Sequence, residues 1–221
     1  MATTTSIESP KDRFLRFCPG GFSDPLYLKY ERDYKWAAHE EWNELLNEDE
    51  FERLLDKDDW QEVIRRALRV EGKTKKLMSP YEKAALRDAV KEQAPARLFA
   101  NVLFDLVYGD DSFEVRLREF TADLRRLPQR ATSPVKWTLA TIFPFVALPE
   151  EHIYLKPTVT QKAAKRRRFA LKYKPLPNWD TYSHYLRFAQ VLRDEVADLK
   201  PRDMIDIQSY IWVTEFWKRT P

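Results

Sequence analysis

Glycine is scarce in this chain, and its scarcity limits the folds and sites that the chain can form. The 221 residues include four glycines, where an average usage of about 7% would give roughly fifteen. The Walker loop and the dinucleotide fingerprint need closely spaced glycines that bring backbone N–H groups against a phosphate. The sequence excludes both kinds of nucleotide site, because its glycines are too few and wrongly spaced: Gly20, Gly21, Gly72 and Gly109.

The rest of the composition is typical of a folded protein. Hydrophobic residues make up 43% of the chain and aromatic residues 14%, which is enough for a substantial core, so we expect residues 1–221 to form one domain. Cys18 is the one cysteine and cannot form an internal disulfide, and the N-terminal residues lack a signal-peptide pattern. We therefore expect a cytoplasmic protein with no membrane contact, no cofactor and no metal.

Residues 24–127 have the pattern of a helical bundle, which follows a partly irregular segment over residues 1–23. Asp24 and Pro25 mark the start of one long helix with an aromatic face. Other starts have the capping-box pattern, in which a cap residue and an acid three positions later satisfy free N–H groups. These boxes are Ser79 with Glu82, Asn47 with Glu50, and Asp59 with Glu62.

The pattern changes in residues 128–221, which we expect to form a mixed α/β part. Residues 152–156 and 169–174 alternate in polarity well enough for short strands. Thr158 or Thr160 can cap a helix between them. The predicted fold class is mainly α (α+β), a helical bundle with a small β element in the second half.

A nearly uncharged stretch over residues 136–149 must be buried, but its secondary structure stays open. Pro144 lies inside it and disfavours a regular helix and a central strand alike. Two further helices are predicted to end the chain, over residues 179–199 and 202–217.

Charge is unevenly distributed although the net charge is only +3. Residues 31–59 contain twelve acidic and four basic side chains, whereas residues 151–187 contain nine basic and two acidic ones. Either these segments neutralise each other inside the fold, or the basic one is free to bind a polyanion. The candidate nucleic-acid-binding residues are Lys162, Lys165, Arg166, Arg168, Lys172 and Lys174, with Trp179 as a stacking face.

Several blocks of the sequence resemble one uncharacterised family of bacterial proteins of about this length. LKPTVTQKAA, PNWDTY and PRDMIDIQSYIWV carry the resemblance in the second half, and GFSDPLYLKYERDYKWAAHEEW and SPYEKAALRDAV extend it through the first. The resemblance implies a bacterial origin and a single coherent unit. It transfers no activity and no site residue.

An enzyme with a spatially assembled site is one alternative. Its candidate residues are His152, His184, Asp203 and Asp206, which would have to meet in one pocket. Structural roles compete with this hypothesis. An acid near a helix start is favoured by the helix dipole, which suits Asp203, and a buried Asp206 would need a partner such as arginine.

A second enzyme pattern is the E-x-K of metal-dependent nucleases, which occurs at Glu71 to Lys73 with Asp58 and Asp59 upstream. Those enzymes place the pair on adjacent strands, whereas residues 70–78 are predicted to form a loop after a helix. Such a tripeptide arises by chance in a chain with 33% charged residues, so it carries little weight.

Taken as a whole, the sequence favours binding over catalysis. The leading hypothesis is a non-enzymatic binding or accessory protein that contacts nucleic acid or another polyanion through residues 156–174. The alternative is a protein-interaction or homo-oligomeric assembly component, in which tyrosines and tryptophans of residues 24–42 meet a partner. Few glycines and many capped helices suggest a rigid frame, which suits a binding platform.

Overall fold

A computed structural model describes residues 8–74, 77–129 and 132–218. Within these ranges the chain forms twelve α-helices, and a π-helical turn over Leu28–Arg32 joins the second to the third. The helices are α1 Pro10–Phe17, α2 Pro25–Tyr27, α3 Asp33–Leu45, α4 Glu48–Asp56, α5 Trp60–Lys73, α6 Pro80–Ala89, α7 Gln93–Tyr108, α8 Phe113–Leu124, α9 Trp137–Ala147, α10 Pro157–Arg166, α11 Trp179–Glu195 and α12 Met204–Phe216.

The mainly α class is confirmed, but the predicted β element is wrong: no strand occurs in the part of the chain that the structure describes. Residues 152–156 have no regular secondary structure, and two of their backbone N–H groups bond to side chains of helices. The N–H of Ile153 donates to the Tyr182 hydroxyl at 3.2 Å, and that of Leu155 donates to Thr141 Oγ1 at 3.0 Å. Residues 152–155 are all buried, so the alternating polarity indicates neither an exposed face nor strand pairing.

Most predicted helix starts are confirmed by their caps. Asp24 accepts a hydrogen bond from the N–H of Leu26 at 2.9 Å, and both bonds of the box between Ser79 and Glu82 are present. Asn47 and Asp59 also cap their helices. Their partner acids, however, turn to arginine: Arg66 bonds to Glu50 at 2.6 Å and to Glu62 at 2.7 Å.

Two helix starts differ from the sequence prediction. α1 lies within the segment expected to be partly irregular, where Ser9 caps it and Pro10 occupies its first turn; residues 1–7 of that segment are outside the described residues. α10 begins at Pro157, directly after Lys156, so neither Thr158 nor Thr160 is its cap. Proline has a fixed φ suited to the first helical position, and it starts the helix earlier than a threonine cap would.

The uncharged stretch is the buried helix α9, which continues through Pro144. Its predicted burial is confirmed, because every residue of the helix is buried. A proline costs a helix interior about 3 kcal/mol, whereas each buried phenylalanine contributes about 1.5–3 kcal/mol. The burial of Phe143 and Phe145 therefore outweighs the loss of one backbone hydrogen bond.

The core joins residues from both ends of the chain, from Phe14 to Trp217. Aromatic rings connect its helices: Trp42 of α3 lies 5.8 Å from Phe143 of α9, and Phe14 of α1 lies 5.3 Å from Tyr210 of α12, between ring centroids. No helix in the described ranges combines the length and the apolarity needed to cross a membrane.

A buried ionic network fastens the helical segment of residues 25–45 to α12. Arg32 Nη2 lies 2.7 Å from Asp203 Oδ2, and its Nη1 lies 2.8 Å from Asp206 Oδ1. Tyr27 also donates its hydroxyl proton to Asp206. Burial raises the pKa of Asp206, but hydrogen bonds from Arg202 and Tyr27 outweigh this effect and hold the pKa below its usual range. The expected arginine partner of Asp206 is thus confirmed.

We expect Asp206→Ala to lower the free energy of unfolding by about 3–5 kcal/mol, because it leaves the buried charge of Arg32 without one of its partners. Urea denaturation at neutral pH measures the change. Asp198→Asn is the matched control, since it removes an exposed carboxylate that pairs with Lys11 and should change stability little. Equal effects of the two substitutions would contradict the importance of the network.

Candidate nucleic-acid interface

The first predicted cations anchor α10 to α12. Glu215, whose side chain is fully buried, lies 3.6 Å from Lys162 Nζ and 3.1 Å from Arg166 Nε. Lys162 also donates to the backbone carbonyl of Glu215 at 2.8 Å. Both cations remain partly exposed, so they position the helix and still present their aliphatic stems and charge at the surface.

The chain that follows α10 runs antiparallel along α11. Arg167 Nε lies 2.7 Å from Glu195 near the end of α11, and Phe169 packs on Phe188 with ring centroids 4.9 Å apart. At the start of the helix, Thr181 Oγ1 donates a hydrogen bond to the Lys172 carbonyl and accepts one from the N–H of Lys174. Between Thr181 and Glu195 the helix rises about 21 Å, at about 1.5 Å per residue.

Four of the predicted cations are exposed along this path. Lys165 and Arg168 make no ion pair with a described residue. Lys172 and Lys174 pair with Asp180, whose carboxylate oxygens lie 3.9 and 3.7 Å from their Nζ atoms. Lys165 and Arg168 are therefore without a compensating carboxylate, and Lys172 and Lys174 share the partly exposed Asp180. We call the surface the basic strip, which consists of Lys162, Lys165, Arg166, Arg168, Lys172 and Lys174.

Arg168 and Lys172 adopt left-handed backbone conformations, with φ of 54° and 48°. Arg168 closes α10 in a Schellman motif. The N–H of Phe169 bonds to the Ala164 carbonyl, and the N–H of Arg168 bonds to the Lys165 carbonyl. Glycine is the usual residue at such a position, since a Cβ costs roughly 1–2 kcal/mol there. The basic strip thus carries cations at two positions where glycine would be the less strained residue.

A cleft of about 330 Å³ lies at the Lys174 end of the basic strip, between α8 and the start of α11. Trp179 lines it and is partly exposed. The strip and the cleft are neighbours in the chain, because Lys172 and Lys174 lie within 3.9 Å of Asp180, the residue after Trp179, and Pro177 lines the cleft three residues after Lys174. The other side chains that define this Trp179 cleft include Glu114, Arg118, Arg125 and Asn178.

Sequence reasoning missed the α8 side of the cleft, although a signal for it exists. Glu114, Arg118 and Arg125 follow one another at four- and seven-residue steps, which places them on one face of a helix. No sequence pattern indicates that this face lies near Trp179, which is more than fifty residues away in the chain.

The acidic segment does not neutralise the basic strip. The carboxylates of residues 31–59 that form ion pairs do so away from the strip: Glu31 with Lys35, Glu41 with Arg69 and Lys73, and Glu50 with Arg53 and Arg66. No ion pair among the described residues links this segment to the strip. The charge asymmetry of the sequence therefore survives folding.

The four candidate catalytic residues are occupied elsewhere. Asp203 and Asp206 are locked on Arg32 in the core. His152 is buried with its ring 4.1 Å from that of Phe113, and His184 Nδ1 lies 2.7 Å from the Asp180 carbonyl. Asp203 and Asp206 thus share the partner Arg32, whereas His152 and His184 have other partners, and the enzyme alternative stays a prediction.

The residues of the E-x-K pattern also have a structural role. Residues 70–73 belong to α5 and not to the predicted loop, because Gly72 is tolerated in the last turn of an otherwise well-packed helix. Glu71 is fully buried and pairs with Lys83 of α6 at 2.6 Å. Asp58 and Asp59 precede the other end of the same helix, about 20 Å away at about 1.5 Å per residue.

The tyrosines and tryptophans of residues 24–42, expected to meet a partner, pack wholly or partly against the core. Tyr27 and Trp42 are fully buried, and Tyr34 and Trp36 are partly buried against the core. Among the described residues, the exposed large hydrophobic side chains lie in other helices and loops: Tyr81, Leu176, Val191 and Phe216.

No family model, curated protein or solved structure matches this chain. The arrangement of its own residues therefore carries the functional conclusion.

We expect Arg168→Gly to raise the free energy of unfolding by about 1 kcal/mol, because glycine adopts the left-handed conformation without a Cβ clash. Thermal or urea denaturation measures the change. Arg168→Ala serves as the comparison, since it removes the same charge and keeps the Cβ. A gain of the same size in both variants would show that charge, not backbone conformation, sets the stability at this position.

Burial, with a further contribution from nearby Arg116, lowers the pKa of His152 to about 4. In the unfolded chain His152 binds a proton near pH 6.5, whereas in the folded protein it does so only near pH 4. Protonation therefore favours the unfolded chain, and the free energy of unfolding falls as the pH is lowered from 6.5 toward 4. We expect the wild type to lose up to about 3 kcal/mol more than His152→Gln between pH 7 and pH 4. Urea denaturation at both pH values measures this, and equal losses would contradict it.

Proposed function

We propose that this protein is a non-enzymatic binding protein whose basic strip contacts the phosphates of a nucleic acid. One observation carries the proposal: four exposed cations without buried partners lie within residues 165–174, a segment that contacts α11 at Glu195 and at Thr181, about 21 Å apart along the helix. They are Lys165, Arg168, Lys172 and Lys174. Release of condensed counterions from a polyanion is the main driving force that such a surface can use.

The length of the basic strip suits an extended polyanion better than a single phosphate. Charges along one strand of a duplex are spaced about 3.4 Å apart, so about 21 Å corresponds to roughly six phosphates. Contacts of this kind fix the register of the strand and are independent of sequence. Thr181 supports this arrangement, because it holds the backbone at both Lys172 and Lys174.

Conformation also supports the proposal. Residues held in a strained backbone conformation are concentrated at binding and catalytic sites, where function outweighs the cost in stability. Arg168 and Lys172 have such a conformation and point to a selective value for positive charge at these places.

We expect the quadruple substitution of Lys165, Arg168, Lys172 and Lys174 by glutamine to weaken binding of a fluorescent 12-nucleotide single strand. Four phosphate contacts give a slope of log K against log salt of about −3, at about −0.7 per contact. The variant should lose most of this slope. Fluorescence anisotropy from 25 to 200 mM salt measures both quantities.

The matched control removes the same charge away from the basic strip, by substituting glutamine for Lys29, Lys57, Arg87 and Lys91, all of which are exposed. It should keep the slope and lose little affinity at 150 mM salt. Equal losses in both quadruple variants would show that net charge alone drives binding. Salt-independent binding, or no binding of the wild type, would overturn the proposed function.

A further inference from the structure

The Trp179 cleft differs from the basic strip in that it combines an aromatic face with charges of both signs. We propose that it binds one unpaired nucleobase that carries an exocyclic amino group, which makes the ligand single-stranded. This inference rests on the proposed function, because the strand that supplies the base is the one that follows the basic strip.

Trp179 provides the stacking face. Its ring is supported from within the protein by Phe113 and Tyr182, whose ring centroids each lie 6.4 Å away at tilts of 59° and 47°. The ring is therefore fixed in place while it remains partly exposed in the cleft. A rigid aromatic side chain of this kind stacks a base with little loss of conformational entropy, and every base presents a π face to it.

Glu114 provides the discrimination between bases. Its carboxylate lines the cleft, is exposed and has no ion pair with a described residue. A carboxylate accepts a hydrogen bond from an exocyclic amino group, as in contacts with cytosine N4. Adenine and guanine also carry such a group, whereas thymine and uracil present carbonyl oxygens in its place, which a carboxylate repels. The cleft should therefore prefer cytosine to thymine.

Arg118 of α8 and Arg125, directly after the helix, complete the site with positive charge for the adjoining phosphates. The Arg125 side chain makes no ion pair with a described residue, and that of Arg118 is 67% exposed and lies 3.7 Å from Glu119. A strand can thus leave the basic strip at Lys174, place one base against Trp179 and continue along α8. A duplex cannot donate a base in this way without the cost of unpairing it.

The test compares 12-nucleotide homopolymers of deoxycytidine and deoxythymidine, which carry equal charge, in fluorescence anisotropy at 100 mM salt. We expect the wild type to bind the deoxycytidine strand at least fivefold more tightly. Trp179→Ala should weaken binding of that strand by about 5- to 100-fold, which corresponds to the loss of one stacked base. Trp179→Phe retains a ring and should keep most of the affinity.

Two further variants separate stacking from base recognition. Glu114→Gln has both a donor and an acceptor, so it should bind the two homopolymers within twofold of each other. Tyr81→Ala removes the most exposed aromatic side chain, which lies in α6, and should behave as the wild type. Far-UV circular dichroism confirms that each variant is folded.

The outcomes distinguish the two proposals. If both homopolymers bind with salt-dependent affinity but bind equally well, or if Trp179→Ala has no effect, the base site is overturned and the basic strip remains. If a duplex of the same length binds as tightly as the deoxycytidine strand, the base site is likewise overturned. If no oligonucleotide binds, the proposed function itself fails.

Discussion

The ion pairs of Arg32 with Asp203 and Asp206 are the interaction on which the rest of the arrangement depends. They hold the start of α12 against the helical segment of residues 25–45, inside the core. Further along α12, Glu215 receives Lys162 and Arg166, so the position of α12 determines that of α10. Since the basic strip begins on α10, a buried network at one end of α12 sets the geometry of a surface at the other.

The same network gives two of the candidate catalytic residues, Asp203 and Asp206, a structural role. Burying a carboxylate is costly unless it is paired, and Asp206 reaches its low pKa through hydrogen bonds that a substrate would have to displace. Lys165, Arg168, Lys172 and Lys174 of the basic strip are in the opposite situation, because they are exposed and have no buried partner. The chain thus separates charge that supports the fold from charge that is free to meet a ligand.

The sequence predicted the features that depend on local chemistry. Asp24 and Ser79 were identified as caps because a side chain satisfies backbone N–H groups two or three residues away. The arginine partner of Asp206 followed from the cost of burying an unpaired carboxylate. The strand prediction for residues 152–156 was wrong, because residues 152–155 are all buried whatever their polarity. The N–H groups of Ile153 and Leu155 bond to Tyr182 and Thr141 instead of to a neighbouring strand.

The candidate site was predictable on one side only. Six cations and Trp179 lie close together in the sequence, so composition identified them, but their alignment along α11 depends on contacts such as Phe169 with Phe188. The α8 wall of the cleft comes from a distant segment and could not be inferred from local pattern. Glycine scarcity also has a structural counterpart, because left-handed positions are occupied by Asp58, Arg168, Lys172 and Lys200.

Lysine acetylation followed by mass spectrometry, with and without a saturating single-stranded oligonucleotide, tests the central claim most directly. Bound phosphates should protect Lys165, Lys172 and Lys174 severalfold, because each ammonium group is then shielded from the reagent. Lys57 and Lys91, which are exposed elsewhere, should react as in the free protein. Uniform protection of all five lysines, or protection confined to the last two, would contradict the assignment of the basic strip as the binding surface.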